Sequence, residues 1–168
     1  MDSRAAWVLT CSLAMNCAAS TFADNQLAGR VLRIIDGDSL VLHIQGSQHR
    51  VDLWGIDAPE RNQPWGGAAA DQLNRALTGR FVNVRVQGGR DDGRFSGLVM
   101  LRGRDVGLDL LRNGLAWSAV PDRGYSHLTE HPYTLAQRQA IAARRGLWSD
   151  DRPIPPWRWS DRRSKMSR

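Results

Sequence analysis

Asp36-Gly37-Asp38-Ser39 and Asp57-Ala58-Pro59-Glu60 lie so that Asp57 follows Asp38 by 19 positions. The first cluster sits at a tight turn between apolar runs, and the second ends another apolar run. Two strand ends arranged this way bring Asp38, Asp57 and Glu60 together as hard oxygen ligands and a base. Carboxylates, carbonyls and water suit Ca²⁺ or Mg²⁺ rather than Zn²⁺. With arginines nearby, the chemistry that fits is phosphodiester hydrolysis. A divalent ion polarises a phosphate oxygen, a carboxylate takes the water's proton, and guanidinium forks neutralise the charge that develops. Alone, Asp36-Gly37-Asp38 is a hairpin turn; its pairing with Asp57 and Glu60 makes it a candidate site.

The elements that must hold these residues follow from apolar periodicity. Residues 31–35 and 40–44 flank the first cluster as a hairpin, and 50–56 reads as a third strand with Val51 and Leu53 on one face. A helix is expected over 68–77 with Ala69, Leu73, Ala76 and Leu77 as its stripe, ended by Gly79. Residues 81–86 and 96–101 read as strands, and 106–113 and 134–145 as helices. Five short strands with a helix between the third and fourth make an α+β chain, a five-stranded OB-fold β-barrel (Greek key) with three helices. Residues 153–159, rich in proline, are expected to be extended.

At 168 residues the chain allows one domain with short appendages. Residues 1–23 read as a signal peptide: Arg4, an apolar stretch, then Thr21-Phe22-Ala23 as a cleavage site near Ala23. The stretch falls short of the roughly 20 apolar residues a membrane span needs, so no span is expected in the mature protein. Cys11 and Cys17 both lie in this leader, so disulfides are excluded as staples of the exported form, secreted or periplasmic. Residues 24–151 are expected to be the domain and hold 16 basic and 15 acidic residues. The tail 152–168 carries six basic residues against Asp161, a composition suited to loose binding of polyanions.

Taken in order and spacing, Ile34-Ile35-Asp36-Gly37-Asp38-Ser39, Gly55-Ile56-Asp57-Ala58-Pro59-Glu60, Trp65-Gly66-x-x-Ala69, Gly93-Arg94, Leu111-x-x-Gly114-Leu115-Ala116 and Arg145-Gly146-Leu147-Trp148 resemble the staphylococcal-nuclease-like (thermonuclease) family over about 29–148. The resemblance implies a Ca²⁺-dependent nuclease that cuts DNA and RNA to 3′-phosphate products around one ion, with Mg²⁺ or Mn²⁺ as possible substitutes. It assigns Asp38, Asp57 and the backbone carbonyl of Ala58 to the metal, Glu60 to the base or water-positioning role, and Arg94 to the scissile phosphate. Asp36 and Ser39 shape the site around them. A monomer is expected.

The chain departs from this family at one position. Where the family places a second phosphate-binding arginine, five residues before the second metal aspartate, stands Asp52. Removing such a donor costs on the order of 10²–10³ in rate. Three readings stay open: Arg50, two residues earlier on the same strand face, substitutes; Asp52 has become a further metal or water ligand; or the domain is a catalytically weak or inactive nucleic-acid-binding OB-fold module. Phe95 and Tyr125 are candidate base-stacking residues, with a core role as the alternative for Phe95. His127-Leu128-Thr129-Glu130-His131 spells a zinc-protease pattern, but Pro132 follows at once and a loop is the better account.

Overall fold

The computed structural model describes residues 25–89, 93–120 and 131–159. The expected leader, Asp91, Asp92, Tyr125, His127, Glu130 and residues 160–168 therefore lie outside the described residues.

The meander forms as expected: β1 (Gln26–Ile34), β2 (Ser39–Ile44) and β3 (Ser47–Leu53) pair antiparallel in turn. The strand β4 (Ile56–Asp57) and helix α1 (Gly66–Leu77) follow, then β5 (Phe81–Gly89) and β6 (Arg94–Leu101). The sheet runs β3-β2-β1-β5-β6, with the two-residue strand Arg104–Asp105 added beyond β6, and β3 pairs parallel with β6, which closes a five-stranded barrel. The α+β OB-fold architecture is thus present. Inward positions of every barrel strand, among them Val31, Leu40, Leu42, Val51, Val84 and Val99, share one core with Leu73 and Leu77 of α1. Full burial of side chains of this size contributes roughly 1.5–3 kcal/mol each.

The third strand ends at Leu53, earlier than the expected residue 56. Trp54 donates its N–H to the Gly97 carbonyl (3.0 Å), and Gly55 takes a left-handed φ of 76° that turns the chain out of the ladder. The chain then pairs as β4 with β8 (Trp117–Ser118) in a separate two-stranded sheet. This bend takes Asp57 out of the barrel sheet and pairs it with Trp117 instead.

Short β7 (Arg104–Asp105) leads into α2 (Val106–Arg112), whose first turn is capped by Asp105 accepting the Leu108 N–H at 3.1 Å. Helix α3 (Pro132–Ala142) begins two residues before expectation, because proline fits a first helical turn and His131 Nδ1 accepts the Tyr133 N–H. It stops short of residue 145, where Arg144 turns left-handed at φ 49°. Residues 156–159 form a helical turn instead of the expected extended segment: the N–H groups of Arg158 and Trp159 both donate to the Pro155 carbonyl. Pro153 and Pro155 precede that turn and Pro156 opens it, where a missing N–H removes no hydrogen bond from it.

Candidate active site

The β1–β2 connection is built around one carboxylate. Asp36 Oδ1 accepts from the Asp38 N–H (3.2 Å), the Ser39 N–H (2.8 Å) and the Ser39 hydroxyl (2.7 Å). Asp36 Oδ1 is thereby committed to shaping the turn, while its Oδ2 lies 4.0 Å from Arg50 Nη2. Asp38 Oδ2 accepts the Ala58 N–H at 2.7 Å, so a turn and a segment 20 residues apart are joined at this point. Asp57 sits in β4 just before Ala58, and Glu60 follows on the next loop. Asp36, Asp38, Asp57, Ala58 and Glu60 line a cleft of about 290 Å³ together with Arg50, Asp52 and Arg94.

Barrel closure supplies the cationic part. The parallel β3–β6 register sets Arg50 opposite Arg94 and Asp52 opposite Ser96. Asp52 lies between the two guanidiniums: Oδ1 accepts from Arg50 Nε at 3.3 Å and Oδ2 from Arg94 Nε at 2.8 Å. Arg50 Nη2 also donates to Ser39 Oγ at 3.2 Å, tying it to the acidic turn. An internal carboxylate thus occupies arginine donors that a phosphate would use, since carboxylate and phosphate present similar paired oxygens to a guanidinium fork.

The acids of the cleft crowd one another. Burial, above all, pushes the Asp38 carboxyl up to about 8; the Ala58 N–H opposes this, and the Asp36 and Asp57 charges add to it. Burial also raises Asp57 to about 6, helped by Glu60 and then Asp36. Partly desolvated oxygens that repel one another hold a cation where they otherwise hold protons. This donor set fits a hard divalent ion. Among the described residues no three His, Cys, Asp or Glu side chains gather as a ready cage. Asp38, Asp57 and the Ala58 carbonyl would hold the ion, with water completing an oxygen shell.

The other sequence candidates fall out as follows. Phe95 is half-buried and packs on the core and toward His49, with ring centroids 6.0 Å apart, so it takes the core role. His131 caps α3 and stacks edge-on against Tyr133 at 5.1 Å; burial lowers its pKa, against the opposing pull of Asp105. Trp54 and Trp117 are packing residues, and Trp65 enters α1 with a left-handed φ of 71°. Gln63 went unread in the sequence. It is buried beside Glu60, and its only sequence signal is its place between that acid and the helix start.

Comparison with known proteins finds relatives described as nucleases. A family described as staphylococcal nuclease homologue matches residues 50–150. An Escherichia coli O157:H7 protein described as an uncharacterized endonuclease is 34% identical over 136 residues, spanning 80% of this chain and 86% of its own. A Haemophilus influenzae protein described in the same words is 32% identical over 131 residues, 77% of this chain and 71% of its own. A probable staphylococcal-like nuclease of Oryza sativa subsp. japonica is 32% identical over 125 residues, 74% of this chain and 35% of its own.

Proposed function

We propose that this chain, which belongs to the staphylococcal nuclease family, is an exported nuclease that uses a divalent ion, Ca²⁺ by preference, to hydrolyse DNA and RNA. The observation that carries the reading is the cleft itself, where Asp38, Asp57 and Glu60 share about 290 Å³ with Arg50 and Arg94. Neither half is chemically useful alone. Together they match a phosphodiester that gains charge as water attacks.

When bound, the ion supplies a Lewis acid for a non-bridging phosphate oxygen. Glu60 takes a proton from the attacking water, whose oxygen bonds to phosphorus as the bond to the 5′ oxygen breaks. A 3′-phosphate and a 5′-hydroxyl result, the latter protonated from solvent. Arg94 donates to the phosphate oxygens, and Arg50 takes the part of the arginine that Asp52 replaces. Substrate entry exchanges the Asp52 carboxylate for phosphate at both guanidiniums.

Incubating the mature chain with plasmid and with single-stranded DNA and RNA tests the assignment. Cleavage should require Ca²⁺ or a substitute ion, stop with chelator, and be lost in Asp38→Ala. Products should accept radiolabel from polynucleotide kinase at 5′ ends without phosphatase treatment. The second reading, a binding module that cuts weakly, is favoured by Asp52 holding both arginines. Retention of DNA without cutting at every divalent ion tried would select it. For export, the mass of the protein recovered outside the cytoplasm should correspond to a chain starting near residue 24, and sedimentation should give a monomer.

A further inference from the structure

Glu60 is held by its backbone, and a buried side chain does the holding. Gln63 Oε1 accepts the Glu60 N–H at 3.2 Å, and the Gln63 N–H donates to the Glu60 carbonyl at 2.8 Å. The Gln63 carbonyl in turn accepts the Gly66 N–H at 3.0 Å, so the loop is locked into the start of α1. A Cβ at Gly66 would overlap the Glu60 carbonyl, and the helix terminus therefore presses directly on that peptide. The remaining hydrogen-bonding group of Gln63, Nε2, reaches out of this loop and donates to the Ile154 carbonyl.

That last contact belongs to a set. Segment 150–159 runs along loop 62–65 in the opposite sense: Asp150 Oδ2 accepts from Trp65 Nε1 at 3.0 Å, Ile154 pairs with Gln63, and Trp159 Nε1 donates to Asn62 Oδ1 at 3.3 Å. Trp157 packs edge-on against Trp117 at 6.3 Å, and Trp117 is the β8 residue registered with Asp57. One segment thus braces both the loop of Glu60 and the strand facing Asp57. Pro153, Pro155 and Pro156 restrict its backbone before it docks, which lowers the entropy lost on docking. Residues 151–159 also lie past the 50–150 that match the family.

We propose that Gln63 is a positioning residue for Glu60, and that the C-terminal segment 150–159 is the strap that keeps it in place. The proposal rests on the role given to Glu60 above. A base must sit within hydrogen-bonding reach of the attacking water, and a displacement near 1 Å costs on the order of 10²-fold. A surface loop between Pro59 and α1 does not hold that tolerance unaided; two hydrogen bonds to the Glu60 peptide and an outside anchor do.

The full chain carrying Gln63→Ala, Pro153→Gly with Pro155→Gly, or all three substitutions tests this well below the melting temperature. On single-stranded DNA with Ca²⁺, Gln63→Ala should lower kcat by about 10- to 100-fold with KM unchanged. The strap variant should lower kcat in the same way, and the triple variant should lose less than the two losses combined, because both act in part through the Gln63–Ile154 contact. An unchanged kcat, a rise in KM alone, or strictly additive losses would overturn the proposal. Hydrogen exchange provides a reading independent of catalysis: the strap variant should speed exchange of the Glu60 and Gln63 amides while Val82 and Val84 stay protected. Unchanged exchange at Glu60 and Gln63 refutes the strap even in an active enzyme. A parent chain that never cuts refutes the nuclease assignment, and exchange still decides whether the strap holds the loop.

Discussion

Asp52 carries the sharpest chemical question in this molecule. It places an anion between the Arg50 and Arg94 guanidiniums, at the position where the resemblance leads one to expect the second phosphate-binding arginine. A carboxylate a few ångströms from a phosphate is repelled by roughly 1–4 kcal/mol over the effective dielectric range near a surface. Asp52→Asn should therefore raise kcat/KM, by about tenfold, and Asp52→Arg should raise it further. Steady-state cleavage of a short oligonucleotide checks this, and a fall in rate for Asp52→Asn would mean that the carboxylate orients the arginines instead of blocking them. Arg50→Ala should reduce cleavage on the order of 10²-fold, the size of a lost transition-state donor; an unaffected rate would return the phosphate to Arg94 alone. The acids predict a pH effect on stability. Asp38 and Asp57 bind protons up to about 8 and about 6 in the folded chain, against 3.8 for an ordinary aspartate. Between those limits the folded state holds protons that the unfolded chain has released, so stability in chelator falls as pH rises from about 4 to about 8. Thermal melts across that range check the sign, and saturating Ca²⁺ should remove the decline by taking the place of the protons.

At the level of elements, the junction of α2 and α3 is as informative as the barrel. Asp105 caps α2 through Oδ1 and accepts the Tyr133 hydroxyl through Oδ2 at 2.7 Å. Burial, with the Asp105 hydrogen bond and charge, pushes the Tyr133 phenol well above its ordinary range, so this hydroxyl stays a donor. Tyr133→Phe should lower stability by about 1 kcal/mol. Asp105→Ala should cost about 2–3 kcal/mol, because a cap and the partner of a buried hydroxyl go together. Denaturant melts of both variants decide it, and equal losses would show that the cap contributes nothing. The helices were legible from their stripes, whereas their ends were not. Pro132 and His131 set one end of α3 and the left-handed Arg144 limits the other, and these are cap and backbone choices that apolar spacing does not encode. The same holds for the break after Leu53, since Gly55 looked like one residue of a continuing strand until its φ turned the chain.

Across the whole molecule, charge and connectivity act at different ranges. The net charge of +6 comes largely from the tail, where residues 160–168 alone hold Arg162, Arg163, Lys165 and Arg168 against Asp161. Ending the chain at Trp159 should weaken nucleic-acid binding more at low salt than at high salt, and should reduce the slope of log affinity against log salt by up to about 2–3, as loss of that many phosphate contacts does. Filter binding over a salt series measures it; an unchanged slope would leave the tail without a part in binding. Among the described residues no helix is long and apolar enough to cross a membrane. Alternation, helical stripes and the spacing of Asp38, Asp57 and Glu60 already specified a β-barrel with helices and an acidic cluster, because such patterns are local and each strand or turn must satisfy them by itself. Arg50 and Arg94 were already candidates, but the Asp52 bridge between them and the strap were invisible at that level. Arg94 meets Asp52 across 42 residues through the parallel pairing that closes the barrel, and Gln63 meets Ile154 across 91. Contacts of that kind leave no periodic trace along the chain; they exist only once the folded backbone brings distant peptides within hydrogen-bonding reach.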